Sequence, residues 1–263
     1  KKENNYINDF EKIIKDVVKD SLISDVPTGI FLSSGVDSSL IASIAKIVAQ
    51  KKINTFSLGV IKNNDYNELK ASEKIAKYLN SNHHSFQINE KEIIDNLEDA
   101  LNSYDEPFAD SSQILTFLLC KKSRKHIKVA LTGDGGDELF GGYNRHFLIY
   151  YLEKNMKLLG IKSFNNVLIQ KLLSGSVNLI HPSLLSNFFA YSNDKYKKIK
   201  NILQFSSENN LYQMLISNNN ETEINSLLKN NLVRRSILYG IKDYSFLSKI
   251  MLSDMKNYLP NDI

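Results

Sequence analysis

Apolar and polar positions along this chain follow two rhythms, and the switches between them mark out its elements. Near the N-terminus Ile7, Phe10, Ile14, Val17 and Val18 recur at helical spacing, predicting an amphipathic helix that ends near Ser24. Pro27 breaks the pattern, and Ile30-Phe31-Leu32 follows as a short apolar run of β type. After a Ser/Gly turn the helical rhythm returns, with Leu40, Ile41, Ile44, Ile47 and Val48 on one side. Ile53 to Leu58 reads as a second strand closed by Gly59, and Asn63 to Tyr66 as a polar loop. A helix with Leu69, Ile75, Ala76 and Leu79 inward stops at Asn80-Ser81-Asn82, and His84 to Ile88 alternates like a third strand. Ile93, Ile94, Leu97, Ala100 and Leu101 predict one further helix. Asp110-Ser111-Ser112 is placed to cap an apolar helix running to about Arg124, and Ile127 to Leu131 is the fourth strand.

Strands that alternate with helices imply a mostly parallel sheet covered on both faces. Ligands of such sheets sit beyond the carboxyl ends of the strands, so the loops after Leu32, Leu58 and Leu131 are expected to share one crevice. Beyond Tyr143 the character changes. Long helical patterns appear, as at Leu168, Leu172 and Leu173 and at Leu227, Leu228 and Val233, with Asn-rich breaks such as Ser217 to Glu221. The expected organisation is an α/β part over 1–145 and a mainly helical part over 146–263.

Composition narrows the class. The chain has 263 residues, 42% hydrophobic and 24% charged, which is ordinary for a globular protein with a sizeable core. A net charge of +4 carried mainly by scattered lysines leaves no nucleic-acid footprint. The one cysteine, Cys120, lies in the apolar run Ile114 to Cys120 and reads as a buried thiol of a reducing compartment. No run approaches the ~18 apolar residues of a membrane span, and the polar start Lys1 to Asn5 is no signal peptide. A soluble, cytoplasmic protein without a membrane partner is expected. His83-His84, Arg234-Arg235 and the run Lys195 to Lys200 read as surface features.

The chemistry concentrates in two stretches. In the first, a strand, a small-residue turn and a helix start bring free N–H groups and the positive helix end onto a phosphate-sized hole. Gly35 allows close backbone approach, Ser33, Ser34, Ser38 and Ser39 offer hydroxyls, and Asp37 offers a carboxylate to a metal. An ordinary capped βα turn also uses Ser and Asp, but rarely at this density. The stretch is no Walker loop, because no lysine is present to reach the β- and γ-phosphates. In the second stretch, Thr132 to Tyr143, three carboxylates are interspersed with glycines. Asp134 and Asp137 are three apart, so a helical first turn would turn both toward the crevice. A negatively charged helix start favoured by the helix dipole would account for the charges alone. Beside a phosphate loop they also suit Mg²⁺, which takes one or two carboxylates plus phosphate oxygens, here Asp37 and Asp137.

Ser33-Ser34-Gly35-Val36-Asp37-Ser38-Ser39 resembles the pyrophosphate loop S-G-G-x-D-S-S of the N-type ATP pyrophosphatases, with Ser34 at a usual Gly. That loop is shared by asparagine, GMP, NAD and argininosuccinate synthetases. Thr132 to Tyr143 resembles S-G-[ED]-G-x-D-E-[LV]-F-G-G-Y of the class B, glutamine-dependent asparagine synthetases, with Thr132 for Ser. Asp105 to Asp110 and Phe56 to Gly59 resemble that family's D-[DE]-P-x-A-D and F-S-x-G. The resemblance is strong from about Val26 to Arg145 and looser to Asn261.

It implies a Rossmann-like doubly wound parallel sheet of the adenine nucleotide alpha hydrolase type, followed by a mainly helical region. It implies that Leu32, Leu58, Thr132 and Gly133 line the adenosine of ATP, and that Ser33, Ser34, Gly35, Asp37, Ser38 and Ser39 hold the pyrophosphate. Asp37 and Asp137 would bind Mg²⁺, and Asp134 stands at a catalytic acid that is more often Glu. The implied reaction adenylates the side-chain carboxylate of aspartate, and ammonia then displaces AMP. The N-terminal glutaminase domain that supplies the ammonia is absent from the sequence, as are a downstream lysine and an R-V-P-F-type loop. The resemblance therefore implies a fragment with little activity of its own, cut from a parent able to form a homodimer. Two other readings stand beside it. One is a related adenylating, amide-forming enzyme, such as a β-lactam synthetase or an enzyme of cell-surface sugar biosynthesis. The other is a non-catalytic nucleotide-binding module.

Overall fold

Alternating strand and helix segments in the first half of the chain wind into one parallel sheet. The computed structural model describes residues 2–49, 51–61, 68–105, 110, 112–158, 207–217, 225–226, 238 and 244–262. The readings at Asn63 to Tyr66, Glu106 to Ala109, Ser111, Leu168 to Leu173, Lys195 to Lys200, Asn218 to Glu221 and Leu227 to Arg235 lie outside these residues. The described chain divides into two compact units, Lys1–Gly136 with Asp262–Ile263, and Asp137–Asn261.

The first unit runs α1 (Lys2–Ser21), β1 (Thr28–Phe31), α2 (Val36–Val48), β2 (Asn54–Val60), α3 (Glu68–Leu79) and β3 (Asn82–Ile88). It continues with α4 (Glu90–Asp95), α5 (Leu97–Leu101), α6 (Gln113–Ser123) and β4 (Val129–Leu131). All pairings are parallel, in the order β3-β2-β1-β4. Parallel strands need crossovers, and right-handed crossovers fix the faces. The chain steps outward from β1 to β3 through α2 and α3. It then returns past both inner strands to β4 through α4, α5 and α6, so the direction reverses between β1 and β4.

On one face Val18 of α1, Ala42, Ile44 and Ala45 of α2, and Ala76 and Leu79 of α3 bury Ile30, Leu32 and Ile53. On the other Phe56 stacks on His84 at 4.9 Å, and His84 lies 4.2 Å from His126. Lys122 of α6 sits over Phe86, which places α6 on this face. The parallel sheet covered on both faces that the alternation predicts is what forms, in the doubly wound arrangement that the resemblance implies. His83 and His84 are packing groups here, His83 sharing a 2.9 Å hydrogen bond with Thr55.

Several local expectations change. Of the apolar residues of α1, Ile7, Phe10 and Val17 are exposed, while Ile14 and Val18, with Leu22 just past the helix, turn to the core. In α2 Leu40 and Ile47 are exposed, because the small Ala42 and Ala45 let the helix approach the sheet on the adjoining stripe. The helix expected over 93–101 is two helices. Asn96 interrupts it with φ −109° and ψ 6° and turns its amide back to donate to the Glu92 carbonyl at 2.8 Å. Ile94, Leu97 and Leu101 are left exposed. Asn82 joins β3, its N–H donating to the Ile53 carbonyl at 2.8 Å, and Asn80 takes the left-handed turn, at φ 52°, that ends α3. Asp110 accepts from the Ser112 N–H and hydroxyl, each at 2.8 Å, at the start of α6. Cys120 is exposed, since Leu118 takes the inward position of α6.

The elements of the second unit's described residues are helices: α7 (Gly136–Phe140), α8 (Asn144–Leu158), α9 (Glu208–Ile216), α10 (Phe246–Ser253), a π-helical turn (Asp254–Tyr258) and α11 (Leu259–Asp262). Ile149, Leu211, Tyr212, Phe246 and Ile250 form its core. Against this core lies Asp254, fully buried. It accepts from Arg145 Nε at 3.0 Å, from His146 Nε2 at 2.7 Å and from the Tyr212 hydroxyl at 2.8 Å. Burial alone pushes its carboxyl up, but hydrogen bonds from His146, Arg145 and Tyr212 with the Arg145 charge outweigh it and hold it below the usual carboxylate range. Burial, then the Asp254 charge, push the Tyr212 phenol up.

A folded-state carboxyl held below its ordinary value stabilises the unit fully above the ordinary range, and the stabilisation is lost as pH falls through the lowered value. Asp254→Asn is expected to cost roughly 3 kcal/mol at neutral pH, the scale of breaking a buried ion pair. It is also expected to flatten the fall in melting temperature below about pH 4. Thermal unfolding of both proteins across that range checks it, and parallel pH curves would contradict it.

Candidate functional site

The loop after β1 is short because α2 starts at once, at Val36, with Gly35 as its N-cap. No side chain caps this helix. The first-turn N–H groups of a helix have no partner within it, so at α2 they point outward from the sheet edge with the positive end of the helix dipole. The loop's hydroxyls are bonded to one another. Ser33 Oγ and Ser38 Oγ are 2.7 Å apart, Ser38 Oγ accepts from the Ser33 N–H at 3.1 Å, and Ser33 Oγ accepts from the Gly35 N–H at 3.1 Å. Ser39 Oγ donates to the Gly35 carbonyl at 2.7 Å. Ser38 is buried, whereas Ser34 and Asp37 are half-buried.

The loop after β4 closes against this turn. A Cβ on Gly133 would lie 2.7 Å from the Ser38 backbone nitrogen and 3.0 Å from Asp37 Cβ. A Cβ on Gly136 would lie 2.6 Å from the Asp37 carboxylate. The approach at Gly133 is against backbone and closer than any side chain tolerates, so glycine there is the condition for the two loops to touch, while at Gly136 the obstacle is the Asp37 side chain. Thr132 Oγ1 accepts from the Asp134 N–H at 3.4 Å, and Asp134 itself is exposed. The sheet reverses direction between β1 and β4, and this is where open α/β sheets bind ligands.

Of the residues expected at the site, Ser33, Ser34, Gly35, Asp37, Ser38, Ser39, Thr132, Gly133 and Asp134 therefore lie on these two neighbouring loops. Leu32 and Leu58 stand on the strands that lead to this edge. The Leu32 side chain is buried in the core, its N–H bonds the Phe56 carbonyl, and its carbonyl accepts from the Ser57 hydroxyl. Leu58 lies within β2, paired with Phe86, on the strand expected over 53–58. Asp137 is in the first turn of α7.

A model of the asparagine synthase family matches residues 9–263. The chain belongs to this family. A Methanocaldococcus jannaschii relative described as a glutamine-hydrolyzing asparagine synthetase is 34% identical over 180 residues, covering 66% of this chain and 34% of the relative. Asparagine synthetase 1 of Bacillus subtilis is 37% identical over 142 residues, covering 54% of this chain and 22% of the relative. The Zea mays enzyme is 38% identical over 146 residues, covering 51% and 24%. The chain thus spans about a third or less of the length of these curated relatives. Among solved structures, an NH3-dependent NAD synthetase from Campylobacter jejuni is similar over 75% of this chain and 96% of its own, at 16% identity and a TM-score of 0.38.

Three polar residues escaped the sequence reading of this family member as functional candidates. Glu138 stood in the acidic stretch, yet nothing in its spacing announced that it is 1% exposed. Arg145 and Asp254 are more than a hundred residues apart, and no local pattern pairs residues at that distance.

The Gly133 approach generates a direct test. Gly133→Ala is expected to destabilise the first unit by about 1–3 kcal/mol, the scale of overpacking. Gly35→Ala, whose Cβ would meet only the movable Ser33 Oγ at 3.1 Å, is expected to cost much less. Chemical denaturation of both variants measures the difference, and equal costs would contradict it.

Proposed function

We propose that this chain is the ATP-using part of an asparagine synthase, an amide ligase that adenylates the side-chain carboxylate of aspartate and transfers it to ammonia. The observation that carries the reading is the contact of the Gly133–Gly136 loop with the first turn of α2 in a chain of this family. The turn is shaped for an anion. It has an uncapped helix start of 13 residues, a glycine at the N-cap, and no lysine. Such a cradle suits a pyrophosphate that leaves as a unit, so the bond cleaved is the one between the α- and β-phosphates.

In this reading Ser33, Ser34, Gly35, Asp37, Ser38 and Ser39 hold the pyrophosphate through N–H and hydroxyl donors. Leu32, Leu58, Thr132 and Gly133 line the adenosine, with Leu32 and Leu58 contributing shape rather than polar contacts. Asp134 acts as the acid or base of adenylation and ammonia attack. Mg²⁺ is the expected metal. Mg²⁺ takes one or two carboxylates and shares its sites with phosphate oxygens, and the carboxylates offered to it are Asp37 and Asp137. When bound, it offsets the negative charge that otherwise opposes carboxylate attack on ATP. The N–H donors add preorganised stabilisation where charge develops.

Two measurements test this. Asp37→Asn is expected to weaken Mg²⁺-dependent ATP binding about tenfold or more, the loss of one charged contact. A calorimetric titration with unchanged affinity would sink the assignment of Asp37. Turnover with aspartate and ammonium is expected to give AMP and pyrophosphate, and ADP with phosphate as products would overturn the pyrophosphatase reading.

A further inference from the structure

The segments that lead into the four strands carry a charge pattern that the ligase reading does not use. Residues 22–27, 51–53, 80–81 and 124–128 lead into β1, β2, β3 and β4. Parallel strands all start at the same edge of a sheet, so these segments share the edge opposite the Gly133 contact. The Lys128 N–H donates to the Pro27 carbonyl at 2.9 Å, which ties the approaches to β4 and β1 together. Lys51 and Lys52 precede β2, and Arg124, Lys125 and Lys128 precede β4, all five exposed. Asp25, before β1, is the one carboxylate on these segments. The excess of four positive charges equals the formal net charge of the whole chain, +4. None of the five cations belongs to an ion pair among the described residues. Lys121 and Lys122, earlier in α6, are by contrast held by Asp99 and Glu92. In linear order these are scattered lysines that suggest no membrane partner, and only the winding of the sheet gathers them.

Like charges collected on one edge without counter-charges repel one another, and an anionic surface relieves that repulsion. The uncharged residues of the same edge indicate which surface. Ile23 is 78% exposed, and Val26 and Val129 are exposed beside Lys128. Tyr78, 85% exposed, stands at the end of α3, where that helix returns to this edge. Aliphatic side chains among lysines suit the headgroup boundary of a bilayer, where apolar groups enter and cations stay at the phosphates. Tyrosine is enriched at the same depth. Single-stranded nucleic acid would call for a row of aromatic platforms, and these segments carry none. No helix among the described residues is long and apolar enough to cross a membrane, so the contact is with the surface of the bilayer.

We propose that this edge of the first unit docks on an anionic lipid surface. Lys51, Lys52, Arg124, Lys125 and Lys128 face the headgroup phosphates, and Ile23 and Val26 enter the boundary between headgroups and acyl chains. Docked in this way, the first unit keeps the first turn of α2 on the edge turned away from the lipid. The proposal does not depend on the ligase reading, because none of these residues belongs to the nucleotide edge.

Sedimentation of the whole chain with lipid vesicles tests it. Vesicles of phosphatidylglycerol and phosphatidylcholine in equal parts are expected to bind the chain, less so as salt is raised, and phosphatidylcholine alone is not. Lys125→Glu with Lys128→Glu is expected to weaken binding about twentyfold or more, since one basic residue near an anionic surface is worth about fivefold. Lys70→Glu with Lys74→Glu makes the same change of charge on exposed positions in the first half of α3, away from this edge, and is expected to lose far less. Equal losses in the two double variants would overturn the proposal. So would equal binding to the two kinds of vesicle, no binding to the mixed vesicles at low salt, or tighter binding of oligouridylate than of the mixed vesicles at the same salt. The comparisons of vesicles and of oligouridylate use the unaltered chain, so they decide the matter even where a variant fails to fold.

Discussion

The first unit depends on one close approach: the backbone of the β4 loop lying against the first turn of α2. Two strands of a parallel sheet can be neighbours without their loops touching. Here Gly133 and Gly136 remove the side chains that would hold the loops apart. The contact brings Asp37, Thr132 and Asp134 to one edge, although about a hundred residues separate them in sequence. Because the obstacle at Gly133 is backbone, a larger residue could be admitted only by moving one loop. The geometry of the edge and the identity of these glycines are therefore the same constraint. Winding makes the contact possible in the first place, since β4 pairs with β1 only because the chain recrosses the sheet after β3.

Much of this architecture was legible in the sequence, and the reasons are specific. The short apolar runs ending at Leu32 and Leu131 and the helical rhythm of α3 each carried a single period, and each formed the expected element. The Ser/Gly turn and the acidic glycine stretch were legible because their chemistry is dense and local. What failed was any inference that needed knowledge of a partner surface. In α2 only some of the large apolar residues face the core: Ile44 is buried beside Ala42 and Ala45, while Leu40 and Ile47 are exposed. The buried stripe runs through the two alanines, since a helix seated tightly on a sheet needs small residues at the point of approach. Asn96 broke an otherwise regular apolar pattern by bonding the backbone carbonyl of Glu92, the competition that makes Asn a poor interior helix residue. Cys120 followed an apolar run yet faced outward, because a run of that kind does not say which of its sides is covered.

The second unit obeys a different logic. Its core is small, three aliphatic residues with Tyr212 and Phe246, and a buried carboxylate is set against it. A charge in such a place is costly unless every lone pair is used, and Asp254 uses three donors from α8 and α9. Replacing such a group by an apolar residue is often neutral for stability. Its retention is better explained by geometry, since the carboxylate fixes the orientation of the Arg145 plane and of the His146 ring together. Aliphatic packing would leave both side chains free to turn.

The same distinction between fixing and binding applies to the loop after β1. Its hydroxyls are already satisfied: Ser33 and Ser38 bond one another, and Ser39 bonds the Gly35 carbonyl. An arriving anion must therefore compete with existing bonds for these groups, which limits their net contribution to affinity. The first-turn N–H groups of α2 face no such competition, for the helix gives them no internal partner and its N-cap glycine offers no side chain. Attraction for an anion consequently resides mainly in the backbone, and the serines serve first to hold that backbone in place. The donors belong to the helix start, and Ser34 lies before it.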